Sequence, residues 1–321
     1  MRQLTLTGGV LASEEVEVVD LFCGAGGFSC GAALSGHRIV LACDDDPEVL
    51  DVHRANHPQC VHLCATLPVE ELPLPQHKYH IHGSPPCQGL SIARTRSRGL
   101  ERNEAKSMGL ELVDWFLGFA ISSNATSWSM EQVAAPQVLR LLEKFRLKHP
   151  KRCNYAVFEF SDFGLPQKRR RVIAGSLDVI QRLLIAREES QSVSVAQSLS
   201  PCPAMYVWNK TNKSGIRHKL SKNKKFLEKV NVINYPLTGC FSIHGPSPTI
   251  CAGVPMHWAN VQNGRRILIC TMKPNEMLIL QGFPKDFKLP SKRRLCTKII
   301  GNALPPVVAK YMLPRVHAIH S

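Results

Sequence analysis

A single cysteine sits in the stretch Gly83-Ser84-Pro85-Pro86-Cys87-Gln88-Gly89. The apolar run before it, Tyr79 to Ile81, is short, which predicts a strand end opening into a loop. Two prolines stiffen the backbone just ahead of the sulfur, and glycines bracket the turn. A thiol held on a stiff loop at a strand's carboxyl end stands where open α/β sheets place their ligands. Its thiolate is a strong nucleophile once its pKa is lowered. Two other sets of residues have types suited to chemistry. Ser127 to Val133 reads as a strand ending in a carboxylate, Glu131, which could protonate or hydrogen-bond a heterocycle nitrogen. Gln167, Arg169 and Arg171 alternate in an extended run, which predicts three long polar side chains on one face, suited to an anionic backbone or a base edge.

The elements that must position these groups read as α/β. Val16 to Phe22 is a buried strand that ends in Cys23-Gly24-Ala25-Gly26-Gly27-Phe28, and a helix follows from Ser29 to Leu34. Strand, glycine turn and helix open a doubly wound, nucleotide-binding sheet. Glycines let a ligand approach the backbone, and the helix start offers N–H groups. Arg38 to Ala42 is a second strand running into Asp44-Asp45-Asp46. Asp44, about 20 residues after the glycines, is placed for ribose hydroxyls, and Asp46 for capping the helix begun by Pro47. Asp20 precedes the glycines and could face a cationic ligand. The turn lacks the Gly-Lys-Ser/Thr of a phosphate loop, which disfavours a nucleoside triphosphate. S-adenosylmethionine fits acids at both ends of the turn; a dinucleotide remains the generic alternative.

Composition narrows the partners. The 321-residue chain carries a formal charge of +15, which favours a polyanion, most simply nucleic acid. Twelve cysteines without a secretory signal suggest a reducing, intracellular compartment, either the bacterial or host cytoplasm or a nucleus. They form no paired Cys-x-x-Cys knuckles, so no structural zinc is expected, and no run is long enough to span a membrane. Ser91 to Lys106, holding Arg94, Arg96, Arg98 and Arg102, reads as a basic, DNA-contacting loop. Met108 to Ile121, Gln137 to Leu147 and Asn275 to Gln281 read as helices, and Pro305 to Met312 as the last. Residues 188–203 have linker composition. Beyond them, Lys210, Lys213, Arg217, Lys219, Lys222, Lys224, Lys225 and Lys229 lie among Tyr206, Trp208 and Phe226. Phosphate contacts beside aromatic side chains suit a recognition region.

Taken in order, Asp20-Leu-Phe-Cys-Gly-Ala-Gly-Gly-Phe28, Gly83-Ser-Pro-Pro-Cys-Gln88, Glu131-Gln-Val133, Gln167-Lys-Arg-Arg-Arg171, Gln281-Gly-Phe-Pro284 and Gly301-Asn-Ala-Leu-Pro-Pro306 resemble the motifs of the C5-cytosine-specific DNA methyltransferases. The resemblance covers nearly the whole chain outside residues 1–15 and the variable region. It implies a Rossmann-like class I S-adenosylmethionine-dependent methyltransferase sheet with a smaller target-recognition domain. Residues 1–175 would form the catalytic, cofactor-binding domain, 176–264 the recognition domain, and 265–321 a segment completing the first. Cys87 would add to C6 of a flipped cytosine, Glu131 would hold N3, Arg171 would assist at the base, and Arg169 would orient the site. Asp20, Phe22, Gly24, Gly26, Gly27, Asp44, Pro86 and Asn302 would hold S-adenosylmethionine. Gln88, Arg94, Arg96, Gln167, Lys210, Arg217 and Lys222 would contact double-stranded DNA, with the enzyme acting as a monomer without a metal. Three positions depart from the family pattern: Gln132 replaces an asparagine, Asp45 an aromatic residue, and His62 to Thr66 holds no acid for the adenine amino group. A tRNA-modifying relative would carry Cys-Phe-Thr late in the chain; Cys240-Phe241-Ser242 echoes it in part. A catalytically silent DNA-binding relative is the other alternative, against which the intact Cys87, Glu131, Arg169 and Arg171 stand.

Overall fold

The computed structural model describes residues 15–86, 99–209, 240–262 and 265–316. Its centre is a seven-stranded sheet of order β3-β2-β1-β4-β5-β7-β6. β1 (Glu17–Leu21), β2 (Arg38–Asp44), β3 (Val61–Cys64), β4 (Tyr79–Gly83) and β5 (Ser127–Gln132) run parallel. β7 (Arg170–Gly175) is antiparallel to both β5 and β6 (Asn154–Glu159). The chain moves outward from β1 to β3, then returns to lay β4 on the other side of β1. That reversal leaves a crevice at the carboxyl ends of β1 and β4, between the glycine turn and Ser84 to Pro86.

Parallel strands covered on both faces are largely apolar, and the buried polar side chains on these strands are paired: His80 and His82 with Ser129, and Asp20 with Ser29. One face packs Val18, Ile39 and Ile173 under α1 (Gly27–Leu34), α5 (Leu177–Glu189) and α9 (Pro306–Ala309). The other packs Val19, Ile81, Trp128 and Met130 under α3 (Gly99–Ser122) and α4 (Pro136–Lys148). α2 (Pro47–Asn56) begins as expected: Asp46 accepts backbone hydrogen bonds from Glu48 and Val49 at 3.0 and 3.4 Å, and Pro47 occupies the first turn.

A four-stranded antiparallel sheet, β11-β10-β8-β9, forms the second layer system. It contains β8 (Tyr206–Asn209), β9 (Cys240–Ser242), β10 (Met256–Gln262) and β11 (Arg265–Thr271). Its core joins Trp258 and Met256 to α6 (Val195–Ser198), α7 (Pro274–Leu280) and α8 (Arg293–Asn302), and reaches Val49 and Val52 of α2. The C-terminus returns to the first sheet. A Cβ on Gly31 would stand 2.4 Å from Ala309 Cβ, so α1 and α9 meet at a distance that admits no side chain there.

Five expectations change. The helix α3 starts at Gly99, so residues 99–106 are helical and not part of a basic loop. Residues 177–189 pack on the seven-stranded sheet through Val179, Ile180 and Leu183, so the unit begun at the N-terminus extends past residue 175. The small sheet in turn includes β11, beyond residue 264. α6 lies within the stretch of linker composition, and α8 runs into the Gly301 motif, where the sequence predicts no helix. A capping box between Ser194 and Gln197 explains α6: a serine that looks like linker is a good N-cap.

Candidate active site

Glu131 and Gln132 end β5, and Arg171 lies near the start of the neighbouring antiparallel strand β7. Arg171 Nε lies 2.9 Å from Glu131 Oε1, and both side chains are largely shielded from solvent, at 15% and 9% exposed. Arg171 also donates to its neighbour's carbonyl, Arg170 O, at 2.8 Å. A carboxylate held by one guanidinium in a half-dry cleft keeps an edge for a substrate nitrogen.

Gln132 extends in the other direction. Its Nε2 donates to Pro85 O at 2.9 Å, while its Oε1 accepts from the backbone N–H of Val133 at 2.8 Å. The side chain therefore clamps the loop two residues before Cys87 onto the strand end that carries Glu131. Ser84 N–H donates to Leu21 O at 3.2 Å, and His82 Nε2 pairs with Ser84 Oγ at 2.9 Å. His82 is itself buried against the Phe28 ring, with centroids 3.8 Å apart, and burial pushes its pKa down to about 3. The base of the loop is thus fixed by three separate contacts. Cys87, Gln88, Arg94 and Arg96 lie outside the described residues, as do Lys210, Arg217 and Lys222.

The run from Gln167 to Arg171 divides. Arg169 is 2% exposed, and its Nη1 donates to Gly301 O at 3.1 Å and Ile250 O at 3.4 Å. Its backbone N–H donates to Glu159. Gln167, expected at the DNA, is wholly buried: its amide donates to Gln281 Oε1 at 2.6 Å and accepts from Ile250 N–H at 2.9 Å. Both ends of that amide are taken, so Gln167 is corrected from a DNA contact to a tie between the two sheets' connecting segments. Alternation predicts a common direction for these side chains; it cannot reveal that the small sheet's chain lies over part of that face.

At the crevice, Phe22 has φ 55°, unusual for a residue with a side chain, and Gly24 and Gly26 have φ 55° and 93°. Asp44 accepts from Gly24 N–H at 2.9 Å and from Asp46 N–H at 3.1 Å. Its carboxylate braces the turn and, being partly exposed, retains lone pairs for ligand hydroxyls. A Cβ on Gly24 would meet nothing within 4 Å, so the turn faces open space. The Phe22 ring meets Trp115 edge-on at 6.1 Å, a wall from α3 that the sequence reading did not single out. Pro86 and Asn302 are exposed. The partly exposed Asp44, the bare backbone of the turn and the aromatic wall fit a nucleoside. Asp20 is corrected. It is 1% exposed, accepts from Ser29 Oγ at 2.7 Å, and points into the interior and not toward a ligand. Burial raises its pKa to about 7.

This crevice, with an acid and a guanidinium beside a proline-stiffened loop, is matched by relatives over nearly its whole frame. The profile of the C-5 cytosine-specific DNA methylases matches residues 16–112 and 147–317. The chain belongs to that family. It is accordingly an S-adenosylmethionine-dependent DNA cytosine-5 methyltransferase by family. It is 25% identical to the type II methyltransferase M1.HphI of Haemophilus parahaemolyticus, over 91% of this chain and 84% of the relative. It is 26% identical to M.HindV of Haemophilus influenzae, over 92% and 95%. Among solved structures, the Entamoeba histolytica methyltransferase EhMeth superposes with a TM-score of 0.55 at 13% identity, over 94% of this chain and 98% of that one. The S. pombe Dnmt2 methyltransferase does so with a TM-score of 0.53 at 13% identity, over 92% and 96%. At such identity these two show the shared fold. Among the described residues, no helix is long and apolar enough to cross a membrane.

Proposed function

We propose that this methyltransferase modifies C5 of cytosine in double-stranded DNA through a covalent bond from Cys87 to C6 of a base swung out of the helix. C5 of cytosine is a weak nucleophile. Addition of the Cys87 thiolate across the 5,6 double bond moves electron density to C5 and N3. Glu131 supports that charge by holding a proton at N3, and Arg171 fixes the carboxyl's direction. Once C5 carries the methyl group, loss of its proton and expulsion of the Cys87 sulfur restore the ring. None of these positions is reachable inside a base stack, hence the extruded base.

S-adenosylmethionine, when bound, supplies the activated methyl group. Phe22, Gly24, Gly26 and Gly27 would receive it at the turn, Asp44 would take its ribose hydroxyls, and Pro86 and Asn302 would border it. Asp20 contributes from behind the turn, through Ser29. Gln88, Arg94 and Arg96 would contact DNA next to the nucleophile. The small sheet with Lys210, Arg217 and Lys222 would supply the target-recognition region. The protein would act as a monomer and serve restriction-modification, as the names of its type II relatives suggest.

The observation that carries this reading is the Glu131–Arg171 pair at the end of β5, with Gln132 clamping the loop before Cys87 beside it. Labelled methyl transfer to duplex DNA should disappear in Cys87→Ser, and a 5-fluorocytosine duplex should trap the unaltered protein. Undiminished transfer by Cys87→Ser ends the proposal. Transfer to tRNA but not to duplex DNA would replace the substrate and leave the chemistry.

A further inference from the structure

Behind the glycine turn lies a second cluster that the reaction does not use. His53 is on α2, Cys60 is in the turn leaving it, and His62 is on β3. One donor atom from each lies within 4.8 Å of the others, and His53 Nδ1 is 2.8 Å from His62 Nε2. We infer that His53, Cys60 and His62 form a divalent-metal site of nitrogen–sulfur type, suited to zinc, that pins α2 to β3 beneath the cofactor turn.

Three observations support it. The first is the donor set: two imidazoles and one thiol are the ligands that a borderline cation such as Zn²⁺ takes in closed, largely buried sites. The site stands apart from the paired Cys-x-x-Cys pattern by which structural zinc is usually read. The second is the orientation of His53. Its Nε2 lies 3.0 Å from Ser29 Oγ, and that hydroxyl donates its proton to Asp20 Oδ2 at 2.7 Å. With its proton given to Asp20 Oδ2, the hydroxyl accepts from His53, so the His53 proton sits on Nε2. Nδ1 then presents its lone pair toward the cluster, where it accepts from His62 Nε2 at 2.8 Å. A hydrogen-bonded partner behind the ring, fixing the tautomer and direction, is what metal-binding histidines generally have. The third is the surroundings. His53 and Cys60 are buried, while His62 is half-buried and gives the ion a route in. His57 adjoins the cluster, its ring centroid 4.8 Å from that of His53, and its buried Nε2 finds no hydrogen-bond partner among the described residues. It is the nearest candidate for a fourth ligand; otherwise water on the His62 side completes the shell.

Binding would replace the hydrogen bond between the two imidazoles, move the His62 proton to Nδ1, and release the Cys60 thiol proton to solvent. The consequence reaches the cofactor turn. A Cβ on Gly26 would lie 2.9 Å from His53 and 3.1 Å from His57, so these rings are the floor on which the turn rests.

The test uses the full-length chain without a histidine tag. After zinc is stripped, cobalt(II) is titrated and the thiolate-to-cobalt charge-transfer and tetrahedral ligand-field bands are followed. The expected result is one equivalent of cobalt with both bands. Cys60→Ser and His62→Gln should lose the charge-transfer band, and Cys64→Ser, on the same strand but outside the cluster, should keep it. Ser29→Ala, which removes the support behind His53, should weaken cobalt binding about 10- to 100-fold. Zinc should also raise the thermal midpoint of the unaltered protein, a readout that needs no variant to fold. Absence of a charge-transfer band, or a band that survives Cys60→Ser, overturns the proposal and leaves a set of hydrogen-bonded core histidines. An unchanged midpoint with zinc overturns the pinning role.

Discussion

Arg171 and Glu131 face each other from antiparallel strands, with Nε and Oε1 2.9 Å apart in a cleft that water barely reaches. The pairing register sets Glu131 opposite Ile173 and Gln132 opposite Val172, so the Arg171 side chain must run along the strand to reach the acid. Removing either partner therefore differs from removing both. Glu131→Gln keeps the volume but cannot deliver a proton, and should lower methyl transfer by about 10²- to 10⁴-fold while the melting curve moves little. Arg171→Ala leaves a shielded, unpaired carboxylate, and should lose both activity and about 1–3 kcal/mol of stability. Single-turnover transfer measured alongside thermal unfolding separates the two outcomes. Equal stability losses in both variants would contradict this division of roles.

Gln132 should behave as a positioning residue. Gln132→Ala frees the carbonyl of Pro85 and unhooks the loop before Cys87. The expected result is slower trapping on a 5-fluorocytosine duplex with unchanged duplex affinity. A drop in affinity with normal trapping would place Gln132 at the DNA instead.

Gln167 offers the opposite test. Its amide joins Gln281 and Ile250 inside the protein. Gln167→Ala should strand two buried polar groups and cost about 1–3 kcal/mol per group left unsatisfied. Denaturant midpoints should fall. The salt dependence of DNA binding should not change, because no phosphate contact is lost.

Asp20 predicts a pH effect whose sign follows from its raised pKa. Burial holds the folded-state pKa near 7, above the ordinary 3.8. The folded protein thus keeps a proton that the unfolded chain has released, and stability falls as pH rises through this window. Asp20→Asn removes the ionisation cost while keeping an acceptor for Ser29. The variant should gain on the parent by up to roughly 4 kcal/mol between about pH 4 and pH 8. Parallel stability curves over that range would show that Asp20 titrates normally.

The packing of α1 on α9 gives a prediction about the fold alone. Gly31→Val would drive a side chain into Ala309 and the backbone of Pro306 and Lys310. Overpacking of this kind typically costs about 1–3 kcal/mol. Unfolding should become easier, and cofactor protection against heat should weaken because the same helix follows the glycine turn.

Local rules carry far in this chain. The strand, glycine turn and helix at residues 17–34, the cap at Asp46 and the strand ending in Glu131 each depend on residues within a turn or two of one another, so period and turn chemistry reveal them. The ordered motifs then identify the family, because their spacing reflects one catalytic apparatus. Which polar groups face the crevice depends instead on partners far along the chain. Gln167 looks like a DNA contact until Gln281 and Ile250 come to meet it, and Asp20 looks like a ligand contact until α1 brings Ser29 over it. The same holds for Gln132, whose use becomes visible only when β4 and β5 pair and bring Pro85 beside it. A side chain's type and period limit what it can do; burial and hydrogen-bond satisfaction, which are properties of the closed tertiary structure, decide which of those things it does.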